Sequence, residues 1–309
     1  MKPNSTKIIG SLSFLVMLTA AAALLMAPAS SPADTIYVSD TGHNTIDMFT
    51  SGGTGSIFAQ PGPNEPFGLA FDGAGNLFVA NGYNNTIKKI PPGGGSGVLF
   101  ASSGLSNPTA LAFDSMGNLY VANWLNNTIE KFTPGGVGSV FANTGLDSPW
   151  GLAFDGAGNL YVANGGNDTI ERFTPGGVGS VFANTGLSAP FGLAFDSAGS
   201  LFVANAGNNT IEQFTPGGVG SIFADTGLSV PSGLAFDSAG NLFVVNQSNN
   251  TIEKITPDGV GSVFASSGMF GPTYIAIQPG LVPEPQTWAM LGLGIPAILA
   301  IRPRKKRQR

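Results

Sequence analysis

The chain has 309 residues, of which 45 are glycine, 22 are proline and none is cysteine, and only 10% are charged. That composition suits short strands joined by tight turns and suits long helices poorly, and the missing thiols exclude disulfides and thiolate metal centres. Between residues 34 and 281, five basic residues stand against seventeen acidic ones, a net charge of −12, which excludes the positive footprint that nucleic-acid binding requires.

Residues 1–29 carry the three parts of a secretory signal peptide. Lys2 and Lys7 form a basic start, residues 8–26 an apolar run, and Ala27, Pro28 and Ala29 a small-residue cleavage site. The mature protein is therefore expected outside the cytoplasm, stabilised by its core alone.

From residue 34 to 281 the text repeats. A proline opens each unit at Pro66, Pro108, Pro149, Pro190, Pro231 and Pro272, spaced by 42 residues once and by 41 thereafter. Each full unit holds four strand signals, which in the copy opening at Pro149 are GLAFD, NLYVAN, TIERFT and SVFAN, separated by glycine-containing turns. Four short antiparallel strands per 41 residues describe a propeller blade, a unit that cannot bury its faces without neighbours. The first unit lacks its opening strand and the last consists of nothing else, PTYIAIQ. Five whole units and these two complementary pieces predict an all-β, six-bladed propeller with four-stranded antiparallel blades, the first closed by residues 274–278 pairing beside 36–40. The unit PFGLAFDSAGSLFVANAGNNTIEQFTPGG resembles the NHL repeat, with Thr86, Thr128, Thr169, Thr210 and Thr251 where NHL units often carry a basic residue. That departure argues against the RNA-binding use the resemblance would otherwise imply.

The polar residues of the repeat are expected to be structural. Asn81, Asn123, Asn164, Asn205 and Asn246, with Asp40 in the first copy, end the second strand, where Asn and Asp bond nearby amides and tolerate left-handed backbone. Asp72, Asp114, Asp155, Asp196 and Asp237 open the first hairpin in the same manner. Five Asn-x-Thr triplets match a glycosylation acceptor, and the turn chemistry explains them without it. The recurring Glu130, Glu171, Glu212 and Glu253 are expected to be solvated edge charges.

Function is sought where the repeat breaks. Loops between second and third strands share one face with loops entering each first strand, and on that face Phe67, Tyr83, Trp124, Trp150 and Phe191 are expected to collect. Flat aromatic rings with asparagines nearby suit the apolar faces and hydroxyls of sugars, and equally a protein partner; Phe67, Trp150 and Phe191 would alternatively plug the channel. The body holds a single histidine, His43, and the carboxylates nearest the same face are Glu65, Asp147 and Asp225. No Ser-His-Asp set and no calcium loop is present, so no catalytic residue, cofactor or metal ligand is assigned. The alternative is an enzyme similar to propeller lactonases or streptogramin lyases, a resemblance that implies a divalent metal in the channel.

The C-terminal 28 residues form a separate address. Val282, Pro283, Glu284 and Pro285 precede an apolar stretch, 288–301, of 14 residues, about 21 Å if helical. The basic tail Arg302, Arg304, Lys305, Lys306, Arg307 and Arg309 follows. This arrangement closely resembles the PEP-CTERM sorting signal of Gram-negative bacteria, with Gln286 where Ser or Thr is more usual. The resemblance implies an exosortase-type processing enzyme, transient inner-membrane anchoring through a short hydrophobic helix, and a final location at the cell surface or in the extracellular matrix. The expected organisation is thus a signal peptide over 1–29, the propeller over 34–281 and the sorting signal over 282–309. The function expected of the propeller is noncatalytic binding of extracellular polysaccharide or a surface protein.

Overall fold

The structure is a computed structural model, which describes residues 33–60 and 65–280; the expected signal peptide over 1–29 and the expected sorting signal over 282–309, with its apolar segment and basic tail, lie outside the described residues. Within them twenty-four strands, numbered β1 to β24 in chain order, form six four-stranded antiparallel sheets. Blade 1 has the order β24-β1-β2-β3, and blades 2 to 6 each take four consecutive strands, beginning at β4, β8, β12, β16 and β20. The innermost strands are β4 (Pro66–Phe71), β8 (Pro108–Phe113), β12 (Pro149–Phe154), β16 (Pro190–Phe195), β20 (Pro231–Phe236) and β24 (Pro272–Gln278). The ring closes as the repeat count requires, with β1 (Thr35–Asp40) antiparallel to β24 and Ile36 opposite Ile277.

Each second strand is buried on both faces, as in LYVAN of 160–164, because a blade packs against a neighbour on either side. The core therefore lies between blades. One cluster joins Phe78, Ala80 and Ile87 of blade 2 to Leu111, Leu119 and Phe132 of blade 3, and equivalent clusters recur around the ring. Innermost strands approach so closely that a Cβ added at Gly151 or Gly192 would fall 2.0 Å from a carbonyl oxygen of the next strand, which only glycine permits.

The repeated polar residues are structural, though by longer links than turn chemistry predicts. Asn123 is fully buried; its Oδ1 accepts the Ser106 amide at 3.1 Å, and its Nδ2 donates to the Gly104 carbonyl at 2.9 Å and to Thr128 Oγ1 at 3.1 Å. Asn164, Asn205 and Asn246 repeat these bonds, so these four asparagines hold the loop 17 to 19 residues upstream. The later turn residue does the inter-blade work: Asn127 Oδ1 accepts the Ser148 amide of the next blade at 2.8 Å, and Asn250 closes the ring by accepting the Gly271 amide at 2.8 Å. Both partners of this clasp have positive φ, 54° at Asn127 and 51° at Ser148. The first-hairpin aspartates behave as expected: Asp155 Oδ1 accepts the amides of Ala157 and Asn159.

Glu130, Glu171, Glu212 and Glu253 are buried, not solvated edge charges. Each lies on a third strand that faces the fourth across a bulge and is covered by glycine backbone, Gly104 and Gly138 in the case of Glu130. Burial pushes all four carboxyl groups above their ordinary range. A strand pattern of period two cannot reveal this, because both faces of these third strands pack against neighbouring parts of the ring.

Candidate functional site: the aromatic mouth of the channel

Every innermost strand shifts register just after its opening proline, as between Pro66 and Leu69 or Pro149 and Gly151. Such a bulge re-aims the inserted side chains. The residues at that point are Phe67, Thr109, Trp150, Phe191, Ser232 and Thr273, in blades 2, 3, 4, 5, 6 and 1.

The structure brings four of the five aromatic candidates together around Trp150. Phe191 stacks on it with ring centroids 4.5 Å apart and planes 19° apart; Trp124 lies at 5.6 Å and 41°; Phe67 meets it edge-on at 6.1 Å. Phe67 and Trp150 belong to blades 2 and 4, which are not neighbours, so their contact spans the mouth past blade 3. Offset and edge-on pairs of this kind add about 0.5–1.5 kcal/mol each beyond area burial. Tyr83 stands apart. It sits one position beyond the register of Trp124, level with Leu125 of the next blade, and the two are 74% and 63% exposed.

Size reciprocity explains the fit. Phe67 lies over Gly82, where a Cβ would come within 2.5 Å of its ring, and Trp150 over Gly165 at 2.7 Å. Blade 3 reverses the order, with Thr109 on the innermost strand and Trp124 at the Gly82 position; blade 5 pairs Phe191 with Ala206. One large and one small residue fill each of these four blades' shares of the mouth. This pattern is readable in the sequence once the two positions are compared blade by blade.

Blades 6 and 1 fill their shares with hydroxyls. Ser232 Oγ donates to the Thr273 carbonyl at 2.8 Å, Thr273 Oγ1 meets Ser39 Oγ at 3.0 Å and Thr41 Oγ1 at 2.7 Å, and Thr41 also donates to the Pro66 carbonyl at 2.8 Å. Beneath the mouth Tyr274 crosses the channel from blade 1 to blade 4. Its ring packs against the clusters that hold Leu69 and Leu152, and its hydroxyl donates to the Trp150 carbonyl. Burial raises the phenol well above its ordinary pKa, so it remains a donor.

His43 pairs through Nδ1 with the fully buried Asp40 carboxylate at 2.8 Å. The other Asp40 contacts are the amides of His43 and Phe270. Nearby Asp47 is 6% exposed and bonded by Thr45 at 2.9 Å. Burial, with repulsion from Asp40, outweighs that hydrogen bond and pushes Asp47 up to about 6. The sequence candidates Glu65 and Asp225 are exposed, and Asp147 lies over Gly166. Among the described residues no three His, Cys, Asp or Glu side chains stand together so as to hold a metal ion.

No protein-family model and no curated protein matches the chain. Solved structures do resemble it. A chain of the nidogen/laminin complex superposes with a TM-score of 0.72 at 22% identity, covering 80% of this chain and 98% of that one. A selenomethionine-substituted virginiamycin B lyase from Staphylococcus aureus gives 0.56 at 18% identity over 70% and 85% of the two chains. A streptogramin B lyase gives 0.58 at 18% over 78% and 76%. At these identities the likeness is one of fold alone, seen both with a chain from a protein–protein complex and with lyases.

Proposed function

We propose that this chain is an exported, NHL-like propeller that acts as a noncatalytic recognition module at the cell surface or in the extracellular matrix, with polysaccharide as its ligand. A signal peptide sends it out, and a PEP-CTERM-type signal processed by an exosortase-type enzyme determines its final attachment. The carrying observation is the Trp150-centred cluster across the channel mouth, with Tyr83, Trp124 and Leu125 along its rim. Phe191 occupies one face of Trp150, so Trp150 anchors the platform and Trp124 offers the stacking surface. Asn84 and Asn126 are exposed in the same turns, and each spends its Oδ1 on a threonine hydroxyl, at 2.7 Å from Thr86 and 2.9 Å from Thr128. Their amide Nδ2 groups are thereby left to donate to sugar hydroxyls beside the apolar ring face.

The enzyme alternative draws on fold likeness to the lyases, and fold alone does not carry function. A channel crossed by Tyr274 and capped by four aromatic rings offers a surface, which favours binding over chemistry in its interior.

The test uses residues 34–281, which leave out Trp288, so that Trp124 and Trp150 are the remaining indoles. Titration with cell-surface polysaccharides should give a saturable change in tryptophan emission that Trp124→Ala abolishes while circular dichroism is unchanged. If no glycan shifts the emission, the polysaccharide reading fails, and a protein ligand for the same rim takes its place.

A further inference from the structure

On the opposite face, where first and second strands turn, one blade differs from its siblings in a way that leaves a site open. In blades 2, 3 and 6 a third-strand lysine lies over the aromatic ring directly across from it and against the aspartate of the first hairpin. Lys89, Lys131 and Lys254 stand 5.2, 5.1 and 5.3 Å from the centroids of Phe78, Tyr120 and Phe243. They stand 3.1, 3.7 and 3.6 Å from Oδ2 of Asp72, Asp114 and Asp237. The same Oδ2 atoms also accept Nδ2 of an asparagine in the turn, Asn76 at 2.9 Å and both Asn118 and Asn241 at 2.8 Å.

Blade 5 keeps the acceptor and the ring and loses both donors. Asp196 and Phe202 stand in register, but Gln213 replaces the lysine and Ser200 the asparagine. The turn itself is unchanged, since Asp196 Oδ1 accepts the amides of Ala198 at 2.9 Å and Ser200 at 2.8 Å. Among the described residues Oδ2 accepts nothing comparable. The cleft it lines has a volume of about 590 Å³, against about 400 Å³ for the equivalent cleft that Lys131 enters. Phe202, Phe223 and Phe236 form its aromatic wall, with Phe223 and Phe236 edge-on to Phe202 at 4.9 and 5.0 Å.

We propose that this cleft binds an alkylammonium group, from a free amine or a lysine side chain, in the place that the protein's own lysines fill in three other blades. The ammonium would sit between Asp196 Oδ2 and the Phe202 face, gaining a charge-assisted hydrogen bond and a cation–π contact together, while the acidic body raises the local concentration of cations. The inference does not depend on the aromatic mouth, which lies at the other end of the channel.

The test is amide NMR during titration with n-butylammonium chloride against sodium chloride at equal ionic strength. The expected result is saturable shifts at Ser197, Gln213 and Ser238. Gln213→Lys installs the sibling residue and should weaken binding at least about tenfold, a loss of about 1.4 kcal/mol, while Gln213→Ala keeps the cleft open and retains it. Both variants are expected to fold, because a lysine already stands at this position in three blades and Ala removes only a part-exposed side chain. N-acetyl-lysine methyl ester in place of butylammonium separates the sources: comparable binding points to a lysine side chain, and binding of butylammonium alone to a free amine. Shifts spread evenly over blades 2, 3, 5 and 6, equal binding by Gln213→Lys, or no saturable shift at all would overturn the proposal.

Discussion

The channel mouth is closed by two arcs built on one repeat. Over blades 2 to 5 it is closed by rings: Phe67, Trp124, Trp150 and Phe191, each opposite a small residue. Over blades 6 and 1 it is closed by hydroxyls, with Ser232, Thr273, Thr41 and Ser39 bonded to one another and to innermost-strand carbonyls. The four-stranded blades and the inter-blade clasps are the same under both. The difference teaches that the repeat specifies a scaffold whose innermost bulges accept either chemistry, provided that volume or hydrogen bonds are satisfied. Rings offer an apolar surface to a ligand, whereas the hydroxyls have already spent their bonds within the protein. The proposed recognition surface therefore belongs to the aromatic arc.

The most disruptive way to break this contrast is Trp150→Ala, which removes the ring that three others touch. A cost of about 3–4 kcal/mol is expected, read as a lower midpoint of urea unfolding, together with red-shifted emission from the newly uncovered Trp124. A loss below about 1 kcal/mol would mean that the cluster is ornamental.

Both arcs include blades with a buried third-strand carboxylate, and blade 1 should respond most strongly to pH. Asp47 in blade 1 has its folded-state pKa raised from 3.8 to about 6 by burial and by repulsion from Asp40. A raised carboxyl pKa means that the native state binds the proton more tightly than the unfolded chain. This contribution to stability is therefore fully present below about pH 4 and is lost as pH rises through 6. The buried Glu130, Glu171, Glu212 and Glu253 are shifted in the same direction. Asp47→Asn should raise stability at pH 7 by about 2–3 kcal/mol, from 1.36 kcal/mol per unit, and flatten the profile between pH 4 and 7. Urea denaturation at several pH values measures both, and an unchanged slope would show that Asp47 titrates normally.

Tyr274 joins the arcs, reaching from blade 1 to the Trp150 carbonyl. Tyr274→Phe leaves that carbonyl without its donor and should cost about 1–2 kcal/mol. If the bond couples the arcs, Trp150→Ala and Tyr274→Phe should be non-additive in a double-mutant cycle; simple additivity would separate them.

Much of the fold was legible because a 41-residue repeat states its strands six times over. The split first and last units told how the ring closes, since an opening strand missing at one end and supplied at the other has a single use. The aromatic candidates were legible as breaks in the repeat, although Tyr83 was grouped with a cluster that lies one position away. Three things were not. Asn123, Asn164, Asn205 and Asn246 bond backbone 17 to 19 residues upstream, a contact that no local turn rule contains. Glu130 and its siblings look like the polar half of an alternating strand, yet their side of the third strand is buried. Tyr274 departs from the Gly or Ala at 68, 110, 151, 192 and 233, but that it crosses the channel follows only when blades 1 and 4 stand opposite one another.

The sequence by itself determined the blade, its number and its closure, because strand alternation, turn glycines and repeat length are local or periodic quantities. Tertiary structure decided which side chains meet across the ring: Phe67 with Trp150, Tyr274 with the Trp150 carbonyl, and Asp196 with an open cleft. The first two join residues 83 and 124 positions apart, the third depends on what blade 5 leaves unfilled, and all are set by the stacking of blades in the closed ring.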